Sequence, residues 1–174
     1  MTEAAMAFRR NTEIVFLVGL FCLVVGGVAR NGQSSNPTKG NRIRLEHVAL
    51  NVKEPVKMAQ WYVDHLDMKV LREGPAPSNT RFLADSEGNM MLELYHNPPE
   101  AVPDYASMDP LILHVAFLVD DVEAIRQRLL AAGATATDEI IVTPAGDKIT
   151  MLRDPWGLPI QFIHRAHPML QHNQ

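Results

Sequence analysis

An α+β fold built from two copies of one β-α-β-β-β unit is predicted by three features of this 174-residue chain. His-Val-Ala occurs twice within apolar strand patterns, at His47-Val48-Ala49 and at His114-Val115-Ala116. Each copy is followed by a stretch of helical periodicity and then by short runs of strand character. Strong turn signals, Asp85-Ser86-Glu87-Gly88 and Asp154-Pro155-Trp156-Gly157, stand just before the last run of each unit.

The first unit opens at Ile43. Ile43, Leu45, His47 and Ala49 alternate with Arg44, Glu46, Val48 and Leu50, which reads as one strand with two faces. A helix is expected from Glu54 to Leu66. Pro55 suits its first position, and Met58, Ala59, Tyr62, Val63 and Leu66 form an apolar stripe. Strands follow at Met68 to Arg72, Arg81 to Ala84 and Met90 to Tyr95. The segment from His96 to Pro110 carries four prolines and no period, so it reads as a connector.

The second unit repeats the order. A strand is expected over Leu111 to Val119, and Asp120 or Asp121 is placed to cap the next helix. Val122, Ile125, Leu129 and Leu130 mark its buried side, and Gly133 is a natural stop. Ala134 to Val142, Asp147 to Arg153 and Leu158 to His164 complete the set. The modules are thus 43–95 and 111–164, and the polar tail 165–174 is expected to be loose.

Residues 1–29 have a different character. Arg9 and Arg10 precede an apolar run from Ile14 to Ala29 that ends in the small residues Gly27-Val28-Ala29. That is the pattern of a secretory signal, and the run falls short of the roughly 20 residues a spanning helix needs. The expectation is export to the periplasm or the extracellular space, the alternative being a membrane anchor formed by residues 14–29. Cys22, the only cysteine, lies inside the run, so removal of the leader leaves no thiolate ligand or nucleophile. Residues 30–42 are polar and rich in Gly, Ser and Asn, as flexible linkers are. A net charge of −4 without a Lys/Arg run excludes an electrostatic footprint for nucleic acid.

A histidine set into an apolar strand needs partners for its ring nitrogens. Two at equivalent points of a repeat suggest one shared site. His47 in the first strand and Glu93 in the last are spaced almost as His114 and Gln161 are in the second unit. A two-fold-like arrangement would bring these four to one centre. Two imidazoles, a carboxylate and an amide oxygen suit a borderline divalent metal such as Zn, Ni, Fe or Mn. With one negative charge among them, the bound cation would keep positive charge to polarise a substrate oxygen. The plain structural readings are a hydrogen-bonded core histidine for His47 and solvent-facing polar positions for Glu93 and Gln161.

These residues resemble the vicinal oxygen chelate superfamily, which includes glyoxalase I, methylmalonyl-CoA epimerase, extradiol dioxygenases and the fosfomycin and bleomycin resistance proteins. The resemblance rests on "HVALNV" with "MAQWYVDHL", "GNMMLELY", "LHVAFLVDDVEAIRQRLLAAGA" and "DPWGLPIQFI", and covers residues 43–164. It implies a half-open barrel of paired modules around one divalent ion, with His47, Glu93, His114 and Gln161 as ligands.

Glyoxalases normally carry a glutamate where this chain has Gln161, and an amide cannot serve as a base near neutral pH. The resemblance therefore implies a glyoxalase-like lyase, isomerase or epimerase that stabilises an enediolate of a small oxygenated substrate, with Glu93 as the proton carrier. Non-catalytic sequestration of a small molecule is the alternative. Ring-cleaving dioxygenase chemistry is disfavoured by Gln161. Export disfavours action on a cytosolic glutathione adduct. The sequence leaves open whether the modules close on each other within one chain or across a homodimer.

Overall fold

His47–Asn51 forms the first strand, β1, in the computed structural model of the chain, which describes residues 43–170. The expectations for the leader and linker lie outside the described residues. After β1 come α1 (Pro55–Leu66), β2 (Lys69–Glu73), β3 (Arg81–Ala84) and β4 (Met91–Tyr95). The second module contains β5 (Val115–Leu118), α2 (Val122–Ala131), β6 (Thr135–Ala136), β7 (Ile141–Val142), β8 (Lys148–Arg153) and β9 (Pro159–His164). The tandem α+β repeat is present.

Each module builds its own sheet. The first has the order β1-β4-β3-β2, and the second β5-β9-β8-β6 with β7 also on β8. In both, the first strand lies parallel to the last and the rest are antiparallel. The crossover through the helix makes that parallel pairing possible, since a parallel pair cannot be closed by a hairpin. β1 and β5 each stand at the outer edge of their sheet and do not pair with each other. The two sheets do not close into one barrel.

Helix boundaries follow local chemistry. Pro55 occupies the first turn of α1, where its missing N–H costs nothing. Asp121 caps α2 by accepting from the Ala124 N–H at 2.9 Å, and Gly133 leaves it at φ +95°. Met58, Ala59, Tyr62 and Leu66 are buried as the stripe requires, together with Trp61, which the stripe did not include.

The modules meet through their helices and turns. Tyr62, Leu83, Leu94, Leu129, Leu152, Ile160 and Phe162 belong to one continuous core. Trp61 Nε1 donates to the Ala132 carbonyl at 2.9 Å, and Tyr62 Oη to Asp154 Oδ2 at 2.9 Å. The connector is docked on this seam. Tyr105 Oη donates to the Asn51 carbonyl at 3.0 Å, while Arg153 holds the carbonyls of Tyr105 and Met108 at 2.6 Å each.

Three expected strands are shorter than their sequences suggest. Ile43–Glu46 lies outside the β1 ladder, so His47 is its first residue. Leu111–His114 is a turn, because Asp109 accepts from the Leu111 N–H by its side chain and the Ile112 N–H by its carbonyl. The run from Ala134 to Val142 is split into β6 and β7. Between them Thr137 Oγ1 donates to the Met151 carbonyl and Asp138 accepts from the Met151 N–H. Past β9, Asp147 fastens the start of the tail by accepting from Arg165 and the Ala166 N–H.

Candidate functional site

Alternation along β4 decides what Glu93 faces. Leu92 and Leu94 are buried on the side covered by α1, so Glu93 emerges on the opposite, open face of the first sheet. It lies across from Ala49 on β1 and Phe82 on β3. His47, two residues before Ala49, shares that face, and its Nε2 stands 3.3 Å from Glu93 Oε2. The two side chains are 32% and 23% exposed, neither core residues nor freely solvated.

The ring of His47 is held from behind. Its Nδ1 bonds to the carboxylate of Glu46, the preceding residue. A carboxylate only accepts, so Nδ1 carries the proton and Nε2 of a neutral ring presents its lone pair toward Glu93. Two electron-rich groups facing each other at that distance call for a proton or a cation between them. Phe82 completes the local surface, its ring edge-on to the imidazole at 5.6 Å between centroids.

The second sheet repeats part of this. Gln161 on β9 lies between Ala116 and Met151 on neighbouring strands. Its neighbours Ile160 and Phe162 are buried beneath α2, so Gln161 is on the other face. His114 immediately precedes β5, in phase with Ala116. Its Nδ1 donates to the Pro110 carbonyl at 3.0 Å, which again leaves Nε2 as the free nitrogen.

The structure thus brings His47 and Glu93 together on one sheet and carries His114 and Gln161 on the other. Among the described residues no group of three or more His, Cys, Asp or Glu side chains is placed to hold a metal ion. Nor does a cleft of about 510 Å³ beside β5 contain any of the four. Its lining includes Val115–Leu118 of β5 together with Met91, Leu92, Phe162, Asp85, Glu87 and Arg128. Glu46 and Phe82 are absent from the sequence reading of the site. In the alternating pattern of the sequence Glu46 falls opposite His47, and nothing in the apolar run of β3 distinguishes Phe82 as a site residue.

A family model described as the Glyoxalase/Bleomycin resistance protein/Dioxygenase superfamily matches residues 44–162. The chain belongs to this superfamily. The crystal structure of SMU.1112c is 31% identical over 71% of this chain and 100% of its own length, with a TM-score of 0.56. TnmS3 from Streptomyces sp. CB03234, an antibiotic binding protein, is 20% identical with a TM-score of 0.57, covering 72% of this chain and 98% of its own. A glyoxalase family protein from Bacillus cereus is 16% identical with a TM-score of 0.62, covering 75% and 99%. At those identities the last two share the fold alone. No curated protein matches the chain.

The superfamily typically binds a divalent metal, and the donor chemistry here fits one. In each histidine Nδ1 is committed to an acceptor, leaving Nε2 free, which is the outer-shell arrangement that fixes ligating imidazoles. The separation of His47 Nε2 and Glu93 Oε2 also suits two ligands of one ion, each about 2.1 Å from it.

Proposed function

We propose that this superfamily member is a metal-dependent, glyoxalase-like lyase, isomerase or epimerase for a small oxygenated substrate, whose site is completed by a second copy of the chain. The observation that carries this reading is the His47–Glu93 pair, with Glu46 fixing the imidazole. In the proposal His47 and Glu93 of one protomer and His114 and Gln161 of the other would hold the ion. The bound cation would polarise a substrate oxygen and acidify the neighbouring C–H. Glu93 is the group able to carry a proton there; Gln161 only orients.

The need for a second copy rests on the strand edges. β1 and β5 each pair on one side only and leave the other edge open, and their exposed side chains include Val48 at 37% and Leu118 at 73%. Open apolar edges invite another strand. An isologous pairing of β1 with β5 would produce two equal sites. A second reading, sequestration without turnover, is favoured by the lack of a second carboxylate at Gln161.

Metal analysis with subunit complementation tests the proposal. The chain should retain a divalent ion through dialysis after loading with Zn, Ni or Mn, and sediment as a dimer. His47→Ala and His114→Ala should each lose the ion. Mixing the two variants should restore part of it, because one site of the heterodimer would then hold both histidines. Retention by either variant alone would mean that its histidine is not a ligand. No retention by the parent chain leaves only the sequestering reading.

A further inference from the structure

An irregularity in β2 decides which of its side chains reaches the open face beside His47 and Glu93. Lys69 and Val70 pair with Ala84 and Leu83, but the register then slips, so that Arg72 pairs with Phe82 and Glu73 with Arg81. An unbroken ladder would have set Leu71 against Phe82 and Arg72 against Arg81, two cations side by side. The bulge makes Leu71 the extra residue and turns Arg72 toward Phe82, the kind of re-aiming that bulges bring about beside binding sites. The Arg72 guanidinium lies over the Phe82 ring, 5.9 Å from its centroid.

A row of groups therefore crosses the sheet. The His47–Glu93 pair stands at one end, Phe82 in the middle and Arg72 at the other. Arg81, the neighbouring guanidinium, is committed to Glu73 and to the carbonyls of Gly74, Asn79 and Thr80. Among the described residues Arg72 has no such carboxylate partner.

We propose that Arg72 is a specificity-determining residue, binding the carboxylate of a planar organic acid whose body lies over Phe82 and whose other end reaches His47 and Glu93. A guanidinium fork matches a carboxylate in two hydrogen bonds, and an aromatic ring offers a flat apolar bed. One cation with the Glu93 carboxylate on the same row favours a monoanion over a dianionic phosphate. The inference deepens the proposed function and rests on that reading of the face as the substrate site.

Benzoate and its neutral counterpart benzamide, titrated calorimetrically into the full chain with and without loaded metal, test the proposal. Benzoate should bind more tightly than benzamide to the parent chain. Arg72→Gln should weaken benzoate by at least about tenfold, the scale of a lost charge-assisted bond, and leave benzamide unchanged. Arg72→Lys should recover only part, since an ammonium lacks the fork. The exposed position makes both variants foldable, which thermal melting verifies. Equal binding of the two probes, no binding of benzoate, or indifference to Arg72→Gln would overturn the inference. If the parent chain retains no metal but Arg72 still selects benzoate, the metal reading falls and this one stands. If metal is retained and Arg72→Gln changes nothing, the reverse holds.

Discussion

Tyr62 on α1 donates its hydroxyl proton to Asp154 in the turn before β9, at 2.9 Å and across 92 positions of the chain. Both residues are buried. The bond ties the helix of the first module to the turn of the second. The same carboxylate accepts the N–H groups of Trp156 and Leu158 through its other oxygen, so it organises the turn and the seam together.

Replacing Tyr62 by Phe keeps the ring and removes the donor. Asp154 then keeps its burial and loses a partner, which costs about 1–3 kcal/mol. Urea unfolding of Tyr62→Phe at pH 7 should show that loss in midpoint with little change in slope. An unchanged midpoint would mean that the bond contributes no net stability.

Burial raises the Asp154 carboxyl from an ordinary 3.8 to about 6, against the hydrogen bonds from Tyr62 and the turn amides that favour its charged form. The folded protein then holds this proton over a range where the unfolded chain has released it. Stability from this group falls as pH rises from about 4 to about 6, by roughly 3 kcal/mol, and is level above that. Asp154→Asn should remove the dependence. Asp147, held below its usual range by Arg165 and the Ala166 N–H, acts in the opposite direction at lower pH. The difference between parent and Asp154→Asn, measured from pH 4 to 7, isolates the contribution, and parallel curves would refute it.

Gly157 closes the same turn at φ +86°, and a Cβ there would lie 2.7 Å from Ala106 Cβ in the docked connector. Gly157→Ala therefore combines backbone strain with a clash against main chain, and should cost about 2 kcal/mol or more. Gly88 has a similar φ of +76° but nothing within 4 Å. Gly88→Ala should cost about 1 kcal/mol, the backbone component alone. Equal losses in the two variants would remove the connector from the account.

The repeat was legible because its signals are local. The His47-Val48-Ala49 strand, the apolar stripe of α1, the Asp121 cap, the Gly133 stop and the Asp154–Gly157 turn depend on neighbours a few residues away, and each stands where its chemistry demands, whereas His114 falls just before β5. The strand ends were less legible. Asp109 and Asp138 compete for backbone groups with the ladders, and that competition is decided by side-chain geometry.

The sequence by itself determined the tandem α+β modules and most of the core faces of both helices. Periodicity of two and of 3.6 is enough for that. Tertiary structure alone decided that His47 and Glu93 meet at 3.3 Å with Glu46 behind the ring, and that a bulge brings Arg72 to Phe82. It also decided that the modules join through Tyr62 and Asp154 while β1 and β5 stay open at the edges. Repetition along a chain states that two halves are alike; it does not state which surfaces of those halves pack together.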